Sequence, residues 1–425
     1  MQKILSFLVT ISLLVTFVTK VTGQSTSSKN YRIRNGLPNT FLKLKKRQPL
    51  NIAYLGGSIT AAKDGWRDQS LAWLKKEYGN EAITGINAGL PGTGSDLGAF
   101  RVGPQVLVLN PDLVFIEFAV NDGSKPKKLI HQTMEGIVRQ IRRHNKKTEI
   151  CFVYTIAMEM LPNMQKGKLP SSAAAMEEVA DYYGIPSITF GFTVANEVSL
   201  GKMVFKGKKE DFPTQMVFSP DGVHPYTDTG QKVYAEVLGS SLKSIFQQTS
   251  IKTTKYKLKV PNDPKNWENA TLKPISPEMK RGNWKMDSFK GDELRSSLIT
   301  LMGGVSKADK PGSSLIVKFK GTTIGLMDII GPGSGSCDVI VDGKLTEEKI
   351  RFDKYCTTYR LHYFILPELP MGEHTVEFRV SSKKLDKLNI LNQLDTNTIP
   401  ENMKDYEEHT GFALGLLLNG HLLKN

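Results

Sequence analysis

Cysteine is scarce, three residues in 425, so a disulfide scaffold cannot hold this fold together. No set of Cys and His falls at metal-ligand spacing either, and no metal or cofactor is expected. Cys151 sits in the apolar run Ile150-Cys151-Phe152-Val153-Tyr154 and reads as a buried, inert thiol, whereas Cys337 and Cys356 lie in one late β-rich region and could bridge in an oxidising compartment. Long apolar runs are as rare. Only Ile4 to Val18 approaches one, it is short for a membrane span, and nothing later compares with it. With Met1-Gln2-Lys3 before it and Val21-Thr22-Gly23 after it, residues 1–23 read as a secretory signal peptide cleaved near Gly23-Gln24. The mature protein is then expected to be secreted or periplasmic, with no stable membrane span. A retained anchor is the alternative, favoured only by Lys20 in the cleavage region; no cysteine is placed to carry a lipid. Acid is also in deficit, 42 Asp and Glu against 56 Lys and Arg, for a formal net charge of +14. That balance suits an anionic partner such as an acidic glycan or anionic lipid, or simply a basic exported protein. Nucleic acid is disfavoured by export and by the lack of any recognisable binding motif. The runs Lys43-Leu44-Lys45-Lys46-Arg47 and Lys206-Gly207-Lys208-Lys209 read as solvated faces.

What is present is enough chain for two domains, 24–250 and 251–425. In the first, short apolar runs at 51–56, 83–87, 113–119, 149–155 and 186–190 alternate with amphipathic stretches, the pattern of βαβ units around a parallel sheet. Helices are expected over Gly65 to Tyr78, Lys127 to Asn145 and Thr227 to Phe246, each with an apolar stripe facing the core. Met158 to Leu169 and Gly201 to Val217 fit neither period and read as substrate loops or disordered surface. Beyond a Pro-, Asn- and Lys-rich stretch, Ile251 to Asn283, the period becomes two: Leu315 to Leu326, Cys337 to Lys344, with a hairpin turn at Asp342-Gly343, Gly372 to Val380, and a closing run Phe412 to Leu418. An antiparallel sandwich or jelly roll is expected there.

The chemistry concentrates at strand ends in the first domain. Asn51 to Thr60 reads as a buried strand running into a turn that carries Ser58, and Asp221-Gly222-Val223-His224-Pro225 is a short turn able to present a carboxylate and an imidazole together. A serine hydroxyl needs an imidazole to take its proton, and the imidazole works better with a carboxylate fixing its tautomer. Asn87 to Ser95 follows the second strand and Phe118-Ala119-Val120-Asn121-Asp122-Gly123 ends the third, at the same edge. A glycine N–H and an asparagine amide are suitable donors to the oxyanion of acyl transfer.

In their order, spacing and strand context these four blocks resemble those of the SGNH hydrolases, the GDSL-like lipase and acylhydrolase superfamily, over Asn51 to Phe246. The resemblance implies a flavodoxin-like three-layer α/β/α hydrolase domain, here with a C-terminal jelly-roll-like β-sandwich. It implies that Ser58 is the nucleophile, His224 the general base and acid, and Asp221 its orienter. The Ser58 N–H, Gly92 and Asn121 form the oxyanion hole, with Gly89, Gly94 or Ser95 as alternatives to Gly92. Gly57 stands where the family's first block usually carries Asp. Trp66, Arg67, Arg101, Glu117 and Asp122 border the pocket and read as structural.

The expected reaction is hydrolysis of an acyl ester through an acyl-serine, without cofactor. Export, the lack of an evident apolar lid and the added sandwich, similar to accessory domains of polysaccharide esterases, favour an O-acyl, most simply O-acetyl, group on a carbohydrate. The net charge extends this to acidic glycans. A lipase or lysophospholipase would need an acyl-binding flap, for which Met158, Met160, Leu161 and Met164 are the candidates. A non-catalytic glycan-binding protein has no use for Ser58, Asp221 and His224, and a glycosidase would need paired carboxylates that the sequence does not identify.

Overall fold

The computed structural model describes residues 30–289, 293–393 and 403–424. Residues 1–23, expected to be a signal peptide, lie outside them. Among the described residues no helix is long and apolar enough to cross a membrane.

The apolar runs of the first half form strands, as their period requires. A short edge strand β1 (Tyr31–Arg32) is followed by β2 (Leu50–Gly56), β3 (Ile83–Gly89), β4 (Leu113–Glu117), β5 (Glu149–Tyr154) and β6 (Ser187–Thr189). They pair in the order β1-β6-β5-β4-β2-β3, parallel except for β1. Alternation along β2 sends Ala53 and Leu55 to one face and Ile52 and Tyr54 to the other. Helices α1 (Pro38–Lys45), α2 (Ser58–Ala61), α3 (Trp66–Tyr78), α4 (Ser95–Gln105), α5 (Lys127–His144), α6 (Leu161–Gln165), α7 (Ser171–Tyr183), α8 (Gly191–Ser199) and α9 (Gly230–Gln248) connect them. Helices α4, α5 and α7 bury their apolar residues against one face, and α1, α3, α8 and α9 against the other. The result is a three-layer α/β/α domain. Because β2 lies between β3 and β4, the winding reverses at β2, and the crevice at its carboxyl end is where such sheets bind ligands.

The three expected helices are present as α3, α5 and α9. Helix α4 was not legible from its pattern because Ser95 to Val102 are all buried, so it has no polar stripe, and Gly98, Gly103 and Pro104 read as breakers. The glycine at 98 is required by close approach: a Cβ there would stand 2.7 Å from the Phe118 ring. The expectation of loops over Gly201 to Val217 is corrected. The segment contributes β7 (Met203–Lys206) and part of β8 (Met216–Ser219), a parallel pair. Met158 to Leu169 holds a 3-10 turn and α6.

The second half is antiparallel. Its strands are β9 (Ala270–Pro274), β10 (Lys280–Arg281), β11 (Trp284–Asp287), β12 (Val305–Ala308), β13 (Ser314–Ile330), β14 (Ser336–Val341), β15 (Lys344–Ile350), β16 (Arg360–Ile365), β17 (Gly372–Val380), β18 (Gly411–Ala413) and β19 (Gly415–Leu422). Eight form one sheet, ordered β15-β14-β17-β13-β19-β9 with β10 and β16 also on β13, and β11-β12-β18 form a second. The Asp342-Gly343 hairpin between β14 and β15 has φ of 50° and 80°, both positive as a tight two-residue turn demands. All three cysteines are free thiols, so Cys337 and Cys356 do not bridge.

The two halves share a core. Leu416 and Leu418 face the β domain's interior, while Leu417 between them joins a cluster with Leu97, Phe100 and Ile137 of the α/β domain. Trp267, in the connecting segment, belongs to that cluster too; its ring lies 5.1 Å from that of Phe100, and its backbone N–H donates to the Gln132 carbonyl at 3.0 Å. Both faces of the closing strands are therefore apolar, which is why their sequence runs on as Leu416-Leu417-Leu418 rather than alternating.

Candidate active site

Strand β2 ends at Gly56, Gly57 turns the chain, and Ser58 opens the single turn α2. The β8–α9 connection returns to the same edge with Asp221 and His224. Ser58 Oγ lies 2.9 Å from His224 Nε2, and His224 Nδ1 lies 2.6 Å from Asp221 Oδ2. The other carboxylate oxygen, Oδ1, accepts the N–H groups of Val223 and His224 at 2.8 Å each and the Ser219 hydroxyl at 2.9 Å. Partial burial pushes the Asp221 pKa up, but the donors from His224, Val223 and Ser219 outweigh it and hold the carboxyl well below the usual carboxylate range. An anion fixed on Nδ1 leaves Nε2 to accept the Ser58 proton. Ser219, which sequence reasoning missed, thus supports Asp221; its only sequence signal was its place at the end of an apolar strand.

The alternatives for the glycine donor separate by what their N–H groups already do. That of Gly89 donates to Asn87 Oδ1 at 3.0 Å, that of Ser95 to Asp122 Oδ1 at 3.1 Å, and that of Gly94 to the Tyr363 hydroxyl oxygen. Among the described residues no acceptor meets the N–H of Gly92 or of Ser58, or the amide of Asn121. Gly92 has φ of 74°, a left-handed conformation suited to glycine, and a Cβ there would meet nothing within 4 Å. Asn121 lies against the nucleophile turn: a Cβ on Gly57 would come within 2.1 Å of its Oδ1. The departure from Asp at this position is thus matched to Asn121.

Beneath the turn, the buried Glu117 carboxylate accepts the Thr60 and Thr155 hydroxyls at 2.9 and 2.7 Å and the Gly57 N–H. Burial pushes its pKa up, against those hydrogen bonds. Arg101, fully buried, donates to the Gly56 carbonyl at 2.7 Å and to the Ala88 carbonyl, tying the ends of β2 and β3; burial pushes its pKa down to about 9. Trp66 packs with Tyr54, Phe115 and Phe190, and Arg67 pairs with Asp68. These residues hold the frame around Ser58. Among the described residues no three His, Cys, Asp or Glu side chains group to hold a metal ion.

Beside Asn121 opens a cavity of about 420 Å³ whose wall includes Ser124, Glu159, Asn163 and Ser171. A larger cleft, about 960 Å³, lies at the opposite edge of the sheet between the His144 end of α5 and the β-domain turns at 320–322 and 419–421, and holds none of these residues.

Residues 54–232 match the model of the GDSL-like lipase/acylhydrolase family. No curated protein matches the chain. Among solved structures, a two-domain esterase active on acetylated mannans is similar at 20% identity and a TM-score of 0.72, over 94% of this chain and 99% of that one. A structure of such an esterase co-crystallised with mannopentaose gives 20% identity, the same coverage and a TM-score of 0.70. The likeness covers both halves, so the α/β and antiparallel β units occur together as one two-domain fold. Residues 54–232 thus match the GDSL-like lipase/acylhydrolase family, and the chain as a whole shares a two-domain fold, a three-layer α/β/α domain followed by an antiparallel β domain.

Proposed function

We propose that this protein is an exported esterase that removes O-acyl, chiefly O-acetyl, groups from a polysaccharide through an acyl-Ser58 intermediate. The observation that carries the mechanism is the Ser58–His224–Asp221 relay at 2.9 and 2.6 Å beside three donors that meet no acceptor among the described residues. Ser58 Oγ attacks the ester carbonyl as His224 Nε2 takes its proton. The oxyanion receives hydrogen bonds from the Ser58 and Gly92 N–H groups and the Asn121 amide. Collapse breaks the bond to the sugar oxygen, which takes the proton back from His224. Water, deprotonated by His224, then attacks the acyl-serine, releasing the acid and restoring Ser58.

Two features support a sugar ester over a lipid. Met160 and Met164 are buried in the core and Leu161 packs on it, so of the residues a lipase flap would need only Met158 is exposed. The cavity beside Asn121 presents hydroxyls, an amide and a carboxylate, which suit a polar leaving group. The neighbouring fold described as active on acetylated mannans makes acetylated mannan the first substrate to test. The net charge of +14 supports including acidic acetylated glycans. The leader-like residues 1–23 support a secreted or periplasmic location.

The test is acetate release from acetylated polysaccharides by the purified full chain, with Ser58→Ala as control. Turnover falls at least about 10³-fold in that variant if Ser58 is the nucleophile. Undiminished turnover would end the acyl-serine mechanism, and a preference for long-chain over acetyl esters would favour a lipase.

A further inference from the structure

We propose that the β domain is part of the catalytic machinery, with Tyr363 on β16 as a positioning residue for the oxyanion side of the site. The proposal rests on the reading of Ser58, Gly92 and Asn121 given above.

The donors of that site come from loops that the sheet does not join. Gly92 follows β3 and Asn121 follows β4, and β2 lies between those strands. Their relative position at the carboxyl edge must be set by side chains. A buried cluster does this. Asp122, next to Asn121, accepts the Ser95 N–H at 3.1 Å and Lys125 Nζ at 3.0 Å. Lys125 also pairs with Asp96, in the first turn of α4. Tyr363 completes the cluster from the other domain: its hydroxyl donates to Asp96 Oδ1 at 3.1 Å and accepts the Gly94 N–H, two residues from Gly92.

Two observations show how tightly this is built. A Cβ on Gly94 would stand 2.1 Å from Asp122 Oδ1 and 2.3 Å from Lys125 Nζ, so only glycine lets the two loops close on each other. Two carboxyl groups face one ammonium, and the cluster is buried, Asp122 being fully inaccessible. The Tyr363 hydroxyl is a neutral donor to Asp96, and removing it strips a partner from Asp96 and from Gly94 at once. Tyr363 is held in turn by strand pairing, opposite Met327 on β13. The β domain thus sets a contact on which the Gly92 and Asn121 donors depend. Misplacing a donor lowers turnover without weakening ground-state binding, so the effect falls on kcat.

The experiment measures kcat and KM on an acetyl ester for the full chain and for Tyr363→Phe, Asn121→Ala and the double variant. Rates are expressed per active site, titrated with a fluorophosphonate. Tyr363→Phe is expected to lower kcat by roughly 10- to 100-fold, with KM little changed, and to cost much less in the Asn121→Ala background. Lys125→Gln, which breaks the same cluster from within the α/β domain, should give the same kcat-selective loss and serves if Tyr363→Phe does not fold. Wild-type kcat per titrated site in Tyr363→Phe, or an equal loss in both backgrounds, overturns the proposal. Ser58→Ala separates the two readings. If it retains turnover, the acyl-serine site itself is wrong; if it is inactive while Tyr363→Phe is unaffected, only the role of Tyr363 falls.

Discussion

Gly57→Ala should remove activity while leaving the fold intact. Gly57 has φ −90° and ψ −151°, extended backbone open to any L residue, so alanine brings no conformational strain. Its effect on the unfolded chain is favourable, by about 0.4–1 kcal/mol. The penalty is local: the new methyl would lie 2.1 Å from Asn121 Oδ1 and 2.8 Å from Cγ, far inside contact distance, and the amide must swing away. If that amide is an oxyanion donor, losing it raises the barrier by about 2.7–4 kcal/mol, or 10²- to 10³-fold in kcat. Asn121→Ala should cost about as much, and the two losses should not add, because both remove one interaction. The assay is steady-state acetyl-ester hydrolysis beside urea unfolding. A Gly57→Ala enzyme with kcat within about threefold of wild type would refute the steric coupling, since loss of an oxyanion donor costs far more than that.

Other outcomes follow from the same geometry. Trp267→Ala, which empties the junction between the two halves, should lower stability by about 3–5 kcal/mol in urea melts, with the active fraction retaining its kcat; a loss under about 1 kcal/mol would mean that the junction is not a packed core. Asp221 has a depressed pKa in the folded protein, so its stabilising effect is full above the unfolded value near 3.9 and is lost as pH falls through the folded value; the stability gap between wild type and Asp221→Asn should therefore narrow below about pH 4, and a gap that holds constant with acidification would contradict the hydrogen bonds assigned to that carboxylate. Burial pushes the Cys337 and Cys356 thiols up to about 12 and about 11 and Cys151 higher still, so none should react with a thiol reagent at neutral pH until the chain is unfolded, and reduction should leave the intact mass unchanged.

The parallel sheet was legible because its strands are buried on both faces and read as apolar runs between amphipathic helices such as α5. The motif residues were legible because each sits at the end of such a run, so four short blocks located one sheet edge. What escaped were contacts with no period. Helix α4 is enclosed on all sides, so the pattern that reveals α5 is absent from it. Ser219 and Tyr363 act through single hydroxyls, and nothing in the order of residues tells that Tyr363 would meet Asp96, 267 positions earlier. The steric match between Gly57 and Asn121 was visible only as a departure from Asp. It took the geometry of both loops to turn that departure into a reason.

The junction changes how the β domain is to be understood. An appended binding module would meet the catalytic domain through a small, polar surface. Here Leu272, Met327, Phe412 and Leu417 share one cluster with Leu97, Phe100 and Ile137, and the connecting segment threads Trp267 into it. The backbone at Trp267 would be 2.5 Å from a Cβ on Gly136, so helix and linker meet without room for a methyl group. Removing residues 251–425 would expose that apolar face, and the truncated chain should aggregate or melt well below the full protein. A soluble, fully active 24–250 fragment would show that the shared core is dispensable. It would also remove any need for Tyr363, because the oxyanion loops would then hold their places without the β domain.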